Sequence, residues 1–91
     1  MSNNVYKERS APVVAVASQR WMPESYKIEY DGVTFPKITH VAATGVTPEH
    51  GTYEGPEGTV VVSRGDVITV GAAGNYASYT WLAFNSAYES V

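Results

Sequence analysis

Tyr26-Lys27-Ile28-Glu29-Tyr30, then Asp31-Gly32, then Val33-Thr34-Phe35 is the stretch that most constrains how this chain folds. Two alternating runs joined by Asp-Gly are a strong short-range hairpin signal, because a tight hairpin turn needs residues that tolerate positive φ. In that register Tyr30 faces Val33 and Ile28 faces Phe35 on one side, and Glu29 faces Thr34 on the other. The expected class is an all-β, antiparallel domain with one wet face. Turn signals at intervals suggest a small sandwich or barrel of about six or seven short strands.

The remaining segments fit that class. Residues 1–11 are polar, mix charges and show no period, so they read as an extended or disordered arm ahead of a single β domain over 12–91. Pro12–Ala17 is a β-branched run and an expected strand, with Pro12 confined to its start. Arg20-Trp21-Met22-Pro23-Glu24 reads as a connection, since Pro23 favours extended backbone at Met22. Pro36 places an edge or a bulge after the first hairpin, and Ile38–Ala43 continues as a strand. Thr44–Gly58 is turn-rich, with four glycines, two prolines and three glutamates.

Thr59–Ser63 and Asp66–Val70 read as a second hairpin across Arg64-Gly65, apolar on both faces: Val62 against Val67, and Val61 against Ile68. Strands apolar on both faces are normally covered on both. In a chain of ninety-one residues the second cover is hard to supply from within, and burial against another copy is the expected solution. Ala77–Phe84 reads as a last strand with Trp81 in the core. No segment shows a convincing helical period.

Composition narrows the chemistry. The chain has no cysteine, which removes disulfides, thiolate zinc sites and a cysteine nucleophile. Six basic residues stand against nine acidic ones, without the concentrated cationic face that nucleic acid requires. Charge is unevenly spread: up to Lys37 the chain is balanced, whereas beyond it Arg64 stands alone against Glu49, Glu54, Glu57, Asp66 and Glu89. Such asymmetry can orient head-to-tail contacts between copies. Met1–Arg9 lacks the apolar run of an export signal, and no stretch reaches transmembrane length. The chain is therefore expected off the membrane, in a virion or the cytoplasm.

No catalytic, cofactor or metal constellation emerges. His40 and His50 lie outside metal-ligand spacings. The glutamates lack the spacing of a calcium loop. Gly71-Ala-Ala-Gly74 is not followed by the lysine of a phosphate-binding loop. Arg64-Gly65-Asp66 spells the tripeptide that integrins recognise, but turn chemistry accounts for it, Gly65 supplying positive φ.

The seven tyrosines and two tryptophans point to contact surfaces, where amphipathic rings are enriched. Trp21 and Met22, outside any clear strand, and Tyr6 in the arm are the candidate contact residues. Glu49, Glu54 and Glu57 are candidates for meeting a basic partner. The expected function is a non-enzymatic structural or interaction protein. It would work by self-association or by docking on a larger assembly, most concretely as a capsid-decoration or tail-associated virion subunit. The alternative is a small inhibitory protein that occludes a larger enzyme through the acidic loop. A glycan-binding module ranks behind both, and a small-molecule ligand is not expected.

Overall fold

The computed structural model describes residues 5–8 and 15–90. In chain order they form β1 (Val5–Glu8), β2 (Ala15–Arg20), β3 (Glu29–Tyr30), β4 (Val33–Thr34), β5 (Thr39–Val41), β6 (His50–Gly55), β7 (Gly58–Ser63), β8 (Val67–Val70), β9 (Tyr76–Tyr79), α1 (Trp81–Ala87) and β10 (Tyr88–Ser90). A five-stranded sheet has the order β10-β1-β2-β8-β9, a three-stranded sheet the order β5-β6-β7, and β3-β4 is a separate hairpin. Every pairing is antiparallel. The described residues are all-β in character, with one short helix.

The Asp-Gly hairpin forms in the register its alternation demands, Tyr30 opposite Val33 and Glu29 opposite Thr34. Asp31 and Gly32 both take positive φ, 54° and 79°, the signature of a type I′ turn. Beyond the ladder, the Phe35 amide donates to the Ile28 carbonyl at 2.7 Å. The hairpin is half-submerged: Phe35 is buried, whereas Ile28 and Tyr30 are exposed.

The second hairpin does not form. β7 pairs with β6 across the Pro56-Glu57 turn, and β8 pairs with β2 and β9. Between them the Ser63–Asp66 turn carries the chain from one sheet to the other. Asp66 Oδ2 accepts the Ser63 amide at 2.9 Å, and the Asp66 amide donates to the Ser63 carbonyl at 3.0 Å. The Trp21 backbone clamps this corner, its amide donating to the Asp66 carbonyl and its carbonyl accepting from the Gly65 amide.

The five-stranded sheet has two cores, one per face. Ile68 and Val70 of β8 join Trp21, Phe35, Tyr53 and Val62 between the sheets. Val67 joins Val16, Phe84 and Tyr88 on the opposite face, with Tyr6 and Tyr79 packed against them. All four β8 residues are buried. Both of its apolar faces are thus covered from within the chain, which removes the need for a neighbouring copy at this strand.

The cover on the second face is α1, another departure from expectation. β9 ends at Tyr79, and Trp81–Phe84 are helical rather than extended. Thr80 stops the strand by capping the helix, its hydroxyl accepting the Ala83 amide at 3.2 Å, as N-cap threonines do. Phe84 is the buried residue of α1 and contacts three tyrosine rings: Tyr6 edge-on at 4.7 Å, Tyr88 stacked at 5.0 Å, and Tyr79 tilted at 6.2 Å. One buried position in seven residues leaves no period to read.

Within the segment read as an arm, Val5–Glu8 is extended and paired on both sides, with β2 and β10; the rest of that segment lies outside the described residues. The strand expected at Pro12–Ala17 runs to Arg20 instead, and its residues 12–14 are likewise outside the described range.

Candidate functional site

Period-2 alternation along β2 sends Val16, Ser18 and Arg20 to the helix-bearing face of the large sheet. There the sheet, the first turn of α1 and the connection after β2 enclose an open groove of about 570 Å³. Ser18, Val67 and Phe84 are its buried lining residues, while Tyr6, Met22, Lys27, Tyr30 and Trp81 surround them. Among the described residues its charged lining residues are Arg20 and Lys27, and no carboxylate lines it.

The groove's walls are held in place. Arg20 donates through Nε to the Gly65 carbonyl at 3.0 Å, and its guanidinium lies 4.2 Å from the centre of the Trp81 ring. A guanidinium over an indole face is a favourable cation–π pair. It fixes the first residue of α1 to the end of β2. The Gln19 side chain brackets the Lys27 backbone, accepting from its amide at 2.9 Å and donating to its carbonyl at 3.0 Å. That pair of hydrogen bonds mimics a strand ladder and holds the Lys27 segment beside β2.

A second charged cluster lies at the sheet-crossing corner. Arg64 contacts Glu24 Oε1 and Glu49 Oε1, each at 2.7 Å, and His40 Nε2 lies 2.7 Å from Glu49 Oε2. The bond to His40, then that to Arg64, holds the Glu49 carboxyl below its usual range. Arg64 does the same for Glu24. This network ties the Met22–Ser25 turn to β5, β6 and the corner. It also occupies the Arg-Gly-Asp tripeptide, since Arg64 is ion-paired, Gly65 is buried and Asp66 caps its own turn.

The candidate contact residues separate under this geometry. Trp21 is 2 % exposed, so it is a core residue and no contact surface. Its ring lies over Gly51, where a Cβ would sit 2.7 Å from Trp21 Cζ2. Tyr6 and Met22 come together in the groove. Glu49 belongs to the Arg64 network, while Glu54 and Glu57 stand exposed at the β6–β7 tip, Glu54 accepting the Thr59 hydroxyl at 2.9 Å. The three glutamates therefore do not form one acidic face.

Sequence reasoning missed Arg20, Lys27, Tyr30 and Trp81 as a group. The β2 alternation carries a signal for Arg20, and Thr80 as a cap carries one for Trp81; nothing local joins them to Lys27.

Among the described residues no group of three or more His, Asp or Glu side chains is placed to hold a metal ion, and no helix is long and apolar enough to cross a membrane. Comparison of the chain with protein-family models, curated proteins and solved structures found no match.

Proposed function

We propose that the chain is a non-enzymatic interaction protein that acts by self-association or by docking on a larger assembly. The most concrete form of this reading is a virion accessory subunit that decorates a capsid or joins a tail. The observation that carries it is β7. This strand is one of the two outer members of the three-stranded sheet, six residues long and without a charged side chain, and its central Val61 is 63 % exposed.

An open, uncharged, β-branched edge is a template for another strand, and chains that work alone blunt such edges with lysine, proline or a covering loop. Pairing by strand addition gives affinity through main-chain hydrogen bonds and needs no pocket. The virion reading adds an analogy to this: small cysteine-free β domains suit lattices in which each subunit leans on neighbours.

Light scattering across a concentration series tests the proposal. The wild type is expected to exceed its 9.8 kDa monomer mass increasingly with concentration. Val61→Lys, which places a charge on the edge strand, is expected to return it to monomer with an unchanged circular dichroism spectrum. A wild type that stays monomeric at every concentration, with Val61→Lys indistinguishable from it, overturns self-association through this edge.

A further inference from the structure

The groove beside α1 and the β6–β7 tip are complementary in charge. Arg20 and Lys27 line the groove; Glu54 and Glu57 flank Pro56 at an exposed tip. Among the described residues none of these four side chains is ion-paired, although Arg64 nearby collects two carboxylates. The groove therefore offers uncompensated positive charge in a chain of net charge −3, and the tip offers uncompensated negative charge. Tyr53 and Val62 of the three-stranded sheet that carries the tip belong to the core on one face of β8, whereas Val67 and Phe84 of the groove belong to the core on the other.

We propose that the groove is a receptor for the Glu54-Gly55-Pro56-Glu57 tip of a second copy. The inference rests on the reading of the chain as self-associating and names the contact. In it the two carboxylates meet Arg20 and Lys27, and Pro56 lies against Trp81 and Tyr30. Proline-bearing segments dock well on aromatic-lined grooves because their backbone is already ordered. The tip itself is presented by the β6–β7 ladder, which runs without interruption from His50–Ser63 to Gly55–Gly58, so little ordering is needed on binding. Since groove and tip are different surfaces, the contact is heterologous and propagates into a ring or an open filament. Both products are natural forms for an assembly subunit.

The test separates this contact from the β7 edge by working in a Val61→Lys background. Glu54→Gln/Glu57→Gln keeps the groove and loses the tip; Lys27→Gln keeps the tip and weakens the groove. Lys27 is the chosen groove position because its side chain anchors no other element, whereas Arg20 holds the corner. A fluorescently labelled tip variant, with or without Lys27→Gln added to it, is titrated with an unlabelled protein that carries both native surfaces, and anisotropy is read.

Saturable binding to the native-surface protein is expected, weaker by about tenfold when the labelled protein also carries Lys27→Gln and weakened by salt. The tip variant titrated with itself is expected not to bind. Equal binding in all three titrations, or none with the native-surface protein while every variant keeps the native circular dichroism spectrum and melting curve, overturns the groove contact. Either result leaves the β7 reading to stand or fall on Val61→Lys alone.

Discussion

β7 and β8 look alike in sequence and have opposite fates. Thr59-Val-Val-Val-Ser63 and Val67-Ile-Thr-Val70 are both short β-branched runs, separated by Arg64-Gly-Asp66. Yet β8 is central in a five-stranded sheet with every residue buried, and β7 is an edge with one face open. What divides them is the turn between them. It is built as a corner, with Asp66 capping Ser63 and the Trp21 backbone bonded to both Gly65 and Asp66. Apolar runs fix how much surface must be covered; the turns decide which strand obtains the cover. Burial of β8 thus needs no partner, and the case for one moves to β7.

The largest effect is expected from breaking the cover that α1 gives β8. Phe84→Ala removes the buried ring that Tyr6, Tyr79 and Tyr88 surround, at a cost of about 3–5 kcal/mol. That is a large share of the stability of a domain this small, and urea unfolding followed by circular dichroism measures it. A cost below about 1 kcal/mol would mean that α1 is not the cover, and that the second face of β8 relies on something outside the chain after all.

The other cover of β8 depends on a close approach. Gly51 on β6 lets the Trp21 ring and Ile38 touch its backbone: a Cβ there would lie 2.6 Å from Ile38 Cγ2 and 2.7 Å from Trp21 Cζ2. Gly51→Ala forces the indole out of place and is expected to cost about 1–3 kcal/mol. Trp21 fluorescence should shift toward that of an exposed indole, whereas the same change at Gly45, which has open space around it, should leave the spectrum alone.

These two sites show how much was legible in advance. The Asp-Gly hairpin, the strand character of residues 39–41 and 59–63 and the all-β class followed from period and turn chemistry, which are local. The two tryptophans exchanged roles because their placement is not local. Trp21 is drawn into the core by backbone bonds to a corner more than forty residues away in the chain and by the gap at Gly51. Trp81 is held outside, over Arg20, because Thr80 converts a strand-like alternation into a helix. The groove was illegible for the same reason, since its cations and rings come from β2, the following connection and α1.

A pH titration sharpens the first core from its rim. Tyr26 is half-buried beside Phe35, and its hydroxyl donates to the Pro36 carbonyl. Burial, with smaller contributions from Tyr76 and Tyr53, pushes its phenol above the ordinary value of 10.0. The folded state therefore favours the neutral form. Its contribution is full below the unfolded value and is lost as pH rises from about 10 toward the folded one. Stability should fall on that alkaline limb in the wild type, and the fall should be shallower in Tyr26→Phe, which has no proton to lose there. Equal slopes would place Tyr26 in water.

The smallest effect on stability is expected where the comparison began, and its smallness carries the argument. Ile68→Ala on β8 should cost about 2–5 kcal/mol, because the side chain is fully enclosed between the sheets. Val61→Ala on β7 removes a side chain that projects into solvent and should cost less than about 1 kcal/mol, most of it strand preference rather than packing. Both substitutions shorten a β-branched residue, so their difference isolates the cover from the residue type. If Val61→Ala proves as costly as Ile68→Ala in dilute solution, then Val61 is already buried there by another copy, and its cost should decline on dilution as that copy dissociates. If it stays small while Val61→Lys abolishes association, the edge contributes to assembly without contributing to the fold. That division is what separates a strand kept for a partner from one kept for the core.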